Sequence, residues 1–231
     1  MICNYSSGSV LICKLTDHKP TSVYSFITHE GSSVNPDRQS SPHPHSSVFS
    51  EDNDVLFVAD LGTDIIYYYE FTPEKLIWHK EKSIRFEGTG PRTLCRGKPG
   101  SKVLYLSCEL DNTIRVLSYQ NNKLEQIIAY KVSQTQLNYP SHVCYLNNRI
   151  YLGLRGENKV MIFDEKEEGK LQQFCTFKVG EWPRHLSVTP SGYLYVACQK
   201  GNLVEKYKIS EEKIVLHSQL SMTTPSCVIV V

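Results

Sequence analysis

The chain has 231 residues, 25 Lys+Arg against 24 Asp+Glu for a formal charge of +1, and 40% hydrophobic residues. No basic run marks a nucleic-acid or membrane surface, and no apolar stretch approaches the ~20 residues that cross a bilayer. Residues Met1 to Ser9 lack the basic and apolar regions of a signal peptide, and the eight cysteines form no CxxC pair. They read as small buried hydrophobes in a reducing compartment, which makes cytoplasmic the expected location.

Five X-Pro steps, at Pro44, Pro91, Pro140, Pro183 and Pro225, lie 47, 49, 43 and 42 residues apart, and short apolar runs follow each. Self-similarity at about 40–50 residues with four short strands per repeat predicts an all-β propeller of four-stranded antiparallel blades. The count is about five blades, in a single domain over residues 1–231.

In chain order, residues 1–42 read as a unit without its first strand. Within it, His29 to Ser41 is polar and rich in Gly, Pro, Asn and Ser. Such a segment is either a surface loop or a long loop on the channel side of a site. The second unit runs Ser46–Phe49, Val55–Val58, Ile65–Phe71 and, after a turn at Thr72-Pro73-Glu74-Lys75, an outer strand Leu76–His79. Runs of β-branched and aromatic residues bounded by Asn, Asp, Gly and Pro are strand signals. The pattern returns at Val103–Leu106 with Asp111–Val116, Ile150–Gly153 with Glu157–Phe163, and Tyr193–Ala197 with Gly201–Val204. An Asn, Asp or Gly before each third strand suits a turn that needs positive φ. Pro225–Val231 reads as a first strand with nothing after it, predicting a ring closed by pairing with the N-terminal unit.

Candidate functional residues recur at fixed phases. Arg92 and Arg184 directly follow their X-Pro prolines, as His45 does, and Arg155 ends a second strand, the phase of Glu109. Each arginine alone is also consistent with a solvated turn charge, and His45 with capping its own turn. Together the arginines offer planar forks for a carboxylate or phosphate, and a histidine beside a carboxylate can move protons near neutral pH. There is no metal-ligand grouping, G-x-S-x-G elbow, phosphate loop or supported Cys–His pair, so no cofactor is expected.

At these residues the chain resembles the lactonase family of seven-bladed β-propellers, which includes propeller-type 6-phosphogluconolactonases and fungal carboxy-muconate cyclases. The resemblance runs through Asn4–Ser9, His29-Glu30-Gly31, Asn35–Gln39, Pro42–Ser46, Ala59–Gly62, Gly88–Arg92, Glu109–Thr113, Arg155-Gly156 and Pro183-Arg184-His185. It implies His45, Arg92, Glu109 and Arg155 as catalytic residues, and Arg38, Arg184 and His185 as substrate-binding residues, with no metal. Thr93 stands where the family usually has histidine. The family has about two further N-terminal blades, so the chain reads as a truncated or shortened ring. The implied activity is metal-independent hydrolysis of an anionic sugar-acid lactone, with 6-phosphogluconolactone of the pentose phosphate pathway as the leading substrate. The alternatives are a muconate-type lactone cyclase or isomerase and a non-catalytic binding platform. No nucleic-acid or membrane partner is expected, and the oligomeric state stays open.

Overall fold

The computed structural model describes residues 1–72, 74–135, 137–210 and 213–230. Pro73, in the turn expected before the outer strand, and Val231 lie outside them. Among the described residues, apolar runs broken by Asn, Asp and Gly form twenty strands in five antiparallel sheets. The first blade has three strands, β1 (Ile2–Asn4), β2 (Ser9–Thr16) and β3 (Lys19–Thr28). The second has β4 (Pro44–Phe49), β5 (Val55–Asp60), β6 (Ile65–Phe71) and β7 (Leu76–Trp78), and short β8 (Ile84–Arg85) also pairs with β6.

The third blade has β9 (Pro91–Arg96), β10 (Val103–Cys108), β11 (Thr113–Gln120) and β12 (Lys123–Lys131). The fourth has β13 (Pro140–Leu146), β14 (Arg149–Leu154), β15 (Lys159–Glu167) and β16 (Lys170–Lys178). The fifth has β17 (Pro183–Val188), β18 (Tyr193–Cys198), β19 (Leu203–Ile209) and β20 (Ile214–Ser221). The turns expected before the third strands are present: Asp64, Asn112, Asn158 and Asn202 have φ of 60, 56, 54 and 54°. Asn and Asp tolerate this left-handed region better than other residues with a Cβ.

Every residue of β5 and β10 is buried, because both faces of a middle strand meet a neighbouring blade. Outer strands such as β20 are mostly exposed and mix polar residues with apolar ones. Four apolar clusters join successive blades; one stacks Phe57, Ile66 and Tyr68 on Leu94, Leu106 and Leu117. No such cluster joins the fifth blade to the first among the described residues. The inner strands β4, β9, β13 and β17 lie side by side and face the channel. Serines tie them across blades: Leu94 N donates to Ser46 Oγ at 2.8 Å, and Ser141 Oγ to the Pro183 carbonyl at 2.6 Å.

The C-terminal segment departs from expectation. Residues 225–230 form no strand and do not pair with the first blade. Thr224, at φ 45° and bonded to Asn202 Oδ1, turns the chain back, and Cys227–Val230 line a groove with Tyr195, Val204, Leu220 and Met222 of their own blade. A nearby apolar face is reached with less loop-closure entropy than an edge across the ring.

Candidate active site

The site is built on an irregularity repeated at the start of the inner strands. Pro44 pairs with Asp60 and Ser46 with Ala59, so His45 is an extra residue in the ladder. Arg92 is extra between Pro91 and Thr93, Arg184 between Pro183 and His185, and the shift after Pro140 takes in Ser141 and His142. Proline suits the first position of a strand because it has no N–H to donate, and a bulge re-aims the next side chain. His45, Arg92 and Arg184 are thereby turned toward one cavity of about 370 Å³. Glu109 and Arg155, each one residue beyond a second strand, line the same cavity with Arg38, Cys3 and Tyr5.

Glu109 is its hub and is 2% exposed. Oε2 accepts from Arg92 Nε at 3.1 Å and forms an ion pair with Arg155 Nη2 at 2.5 Å. Oε1 is bonded to Arg38 Nη2. Burial alone would raise the carboxyl's pKa, but Arg155, Arg92 and Arg38 outweigh it and hold Glu109 at about 2. Burial and neighbouring Arg155 push Arg92 down to about 9, which leaves it charged at neutral pH. Burial, reinforced by Arg92, Arg184 and Arg155 and opposed by Glu109, holds His45 well below the usual histidine range. His45 is therefore a neutral imidazole at neutral pH, in edge contact with the Tyr5 ring at 5.8 Å.

Arg38 reaches the hub because the 29–41 segment is an ordered loop. Asn35 Oδ1 accepts from the Asp37 and Arg38 amides, Ser33 N donates to the Gln39 carbonyl, and buried Gln39 donates to the Leu61 carbonyl at 2.8 Å. The end of the loop passes so close to Gly62 that a Cβ there would collide with the Ser41 carbonyl.

Arg155 is held by two residues that the sequence reading missed. Its Nε donates to the Tyr139 carbonyl at 2.8 Å, and its guanidinium lies 5.6 Å from the Tyr139 ring and 5.4 Å from the Trp182 ring. Both aromatics precede prolines and have left-handed backbones, φ 50 and 63°. That conformation is costly for a bulky residue and doubly so before proline, and strain of this kind gathers at functional sites. Their one sequence signal was their shared phase, directly before an X-Pro proline.

His185 lies elsewhere. It stacks on His142 with ring centroids 3.9 Å apart, in a second chamber of about 380 Å³ that shares His45, Arg92 and Arg184 with the first. These three residues divide the two chambers, so His185 does not line the cavity that holds Glu109. No group of three or more His, Cys, Asp or Glu side chains gathers as a metal site among the described residues. No helix among them is long and apolar enough to cross a membrane.

Residues 1–231 match the Lactonase, 7-bladed beta-propeller family. A 6-phosphogluconolactonase of Formosa agariphila is 30% identical over 215 residues, covering 87% of this chain and 61% of the relative. One from Bacillus subtilis is 27% identical over 242 residues, covering 99% and 68%. The chain thus spans about two thirds of the length of these curated relatives. Among solved structures, a periplasmic gluconolactonase of Pseudomonas aeruginosa has the same fold, with a TM-score of 0.87, 24% identity, and coverage of 97% of this chain and 67% of that one. This last structure overturns the cytoplasmic expectation. A protein of this fold resides in the periplasm, so the fold does not fix the compartment.

Proposed function

The chain is a member of the seven-bladed β-propeller lactonase family, and from that membership we propose that its cavity hydrolyses a sugar-acid lactone carrying a negative charge, 6-phosphogluconolactone being the substrate of choice. The observation that carries this reading is the convergence of Arg38, Arg92, Arg155 and Arg184 with the single carboxylate of Glu109 and neutral His45 on one cavity. Four guanidiniums against one carboxylate leave a net positive field that attracts an anion and opposes a cation. We therefore read the reaction as metal-independent.

His45, rather than Glu109, is the general base. A carboxylate held at about 2 by three arginines is a poor proton acceptor at neutral pH. Glu109 instead orients Arg92 and Arg155. His45 is already neutral, and an anionic substrate beside it raises its proton affinity at the moment the reaction needs it. Water oxygen adds to the lactone carbonyl carbon while His45 takes a water proton. Arg92 and Arg155 stabilise the oxyanion that forms. As the carbonyl re-forms, the bond to the ring oxygen breaks, His45 returns the proton to that oxygen, and the ring opens to the hydroxy acid.

The test is hydrolysis of freshly generated 6-phosphogluconolactone, measured against its spontaneous rate with and without chelator. A rate above background, unchanged by chelator and lost in His45→Ala, is expected. A folded chain that leaves the spontaneous rate unchanged overturns the lactonase reading and favours a binding platform.

A further inference from the structure

Gln199 and Arg184 repeat the geometry of Glu109 and Arg92 with one chemical change. Glu109 stands one residue beyond β10 and Gln199 one beyond β18, while Arg92 and Arg184 occupy the same bulge of β9 and β17. Within the third blade Arg92 Nε donates to Glu109 Oε2 at 3.1 Å, and within the fifth Arg184 Nη1 donates to Gln199 Oε1 at 3.4 Å. The carboxylate of the first pair neutralises its arginine. The amide of the second positions Arg184 and leaves its charge intact. Arg184 is half-buried and makes no ion pair among the described residues, whereas Glu109 engages the other three arginines of the cavity.

We propose that Arg184, oriented by Gln199, is the subsite for a phosphate ester on the lactone, and that Gln199 determines the preference for phosphorylated over neutral lactones. This rests on the lactonase reading. The carbonyl end of the substrate is served by the Arg92–Glu109–Arg155 cluster, so a dianion elsewhere on the molecule needs a separate positive group. Arg184 supplies a planar fork suited to phosphate oxygens. Next to Gln199, Lys200 Nζ lies 3.6 Å from the centre of the Trp182 ring, the ring that also lies 5.4 Å from the Arg155 guanidinium. A glutamate at 199 would cancel the charge that selects phosphate and still accept the Arg184 hydrogen bond, so the fold is preserved while the recognition is removed.

Two measurements on the full chain test this. In hydrolysis assays, Gln199→Glu should raise KM for 6-phosphogluconolactone by about tenfold or more, the scale of a lost charge-assisted contact. KM for unphosphorylated gluconolactone and kcat for both should stay within about twofold. In calorimetry, 6-phosphogluconate should bind the unaltered chain about tenfold tighter than gluconate, and Gln199→Glu should abolish that difference. Hydrolysis of both lactones with equal KM, or a Gln199→Glu defect of the same size on both, overturns the subsite while the lactonase reading stands. Selective binding of 6-phosphogluconate without hydrolysis does the reverse. Absence of both hydrolysis and selective binding overturns both.

Discussion

Asp60 and Glu109 are both buried carboxylates at the ends of second strands, 0% and 2% exposed, in neighbouring blades. They differ by one residue in phase. Asp60 pairs across the ladder with Pro44, whereas Glu109 stands one step past Cys108, the partner of Pro91. Asp60 is consumed by the scaffold: Oδ1 accepts from the His43, Gly62 and Thr63 amides at 2.8, 2.9 and 3.0 Å, and Oδ2 meets His29 Nδ1 at 2.6 Å. Glu109's side chain is satisfied by guanidiniums facing a cavity. Backbone partners make a buried carboxylate part of the fold. Cationic side-chain partners beside open space make it part of a site, because an incoming anion can compete for them.

The sharpest way to break the comparison is Asp60→Ala. It orphans three amides and Nδ1 of His29, and should cost about 3–5 kcal/mol in denaturant unfolding, as removing one member of a buried pair does. Inorganic phosphate should recover none of that loss, and recovery would place Asp60 with the site. For Glu109→Gln the expected fall in lactone hydrolysis is about 10²–10³-fold, the scale seen when an oxyanion-stabilising donor is lost. Its pKa of about 2 in the fold, against about 4.3 for an unfolded glutamate, also implies a stability loss near 3 kcal/mol at pH 7. Here phosphate should restore part of the lost stability by occupying the arginines. If phosphate leaves both variants equally unstable, the distinction between scaffold and site is lost.

Acid titration of the unaltered chain probes the same difference more gently. The stabilisation from ionised Glu109 is fully present above about pH 4.3 and is lost as pH falls through its folded pKa of about 2. The histidines act at higher pH. Burial and Arg92 lower His185 to about 4, and burial and His185 depress His142. The unfolded chain takes up their protons near 6.5 and the folded chain only further down, so stability should decline as pH drops from about 6.5 toward 4. His185→Gln should flatten that slope in urea unfolding measured across the range, and an unchanged slope would remove His185 as its source.

Much of this was legible along the chain because it is local. The X-Pro period marked the inner strands, since proline at a strand start and a bulge behind it follow from the missing N–H and fixed φ of proline itself. The left-handed turns at Asp64, Asn112, Asn158 and Asn202 follow from side chains that tolerate positive φ. The phases of His45, Arg92, Glu109 and Arg155 could be read from the same period, and the resemblance to the lactonase family supplied their suggested roles.

What residue order alone left open depends on contacts between distant segments. Arg38 meets Glu109 across 71 positions, through a loop whose polar composition equally suited an unstructured surface segment. Tyr139 and Trp182 hold Arg155 in conformations that their own propensities oppose, so only surrounding packing can maintain them. His185 shares a motif with Arg184 yet lines only the second chamber, because Arg184 is the bulge residue re-aimed toward the first cavity whereas His185 re-enters the ladder opposite Ala197. Pro225–Val230 has the pattern of a first strand, but a pattern specifies only which face is apolar. Which surface covers that face was decided by the nearest one within reach, the chain's own fifth blade.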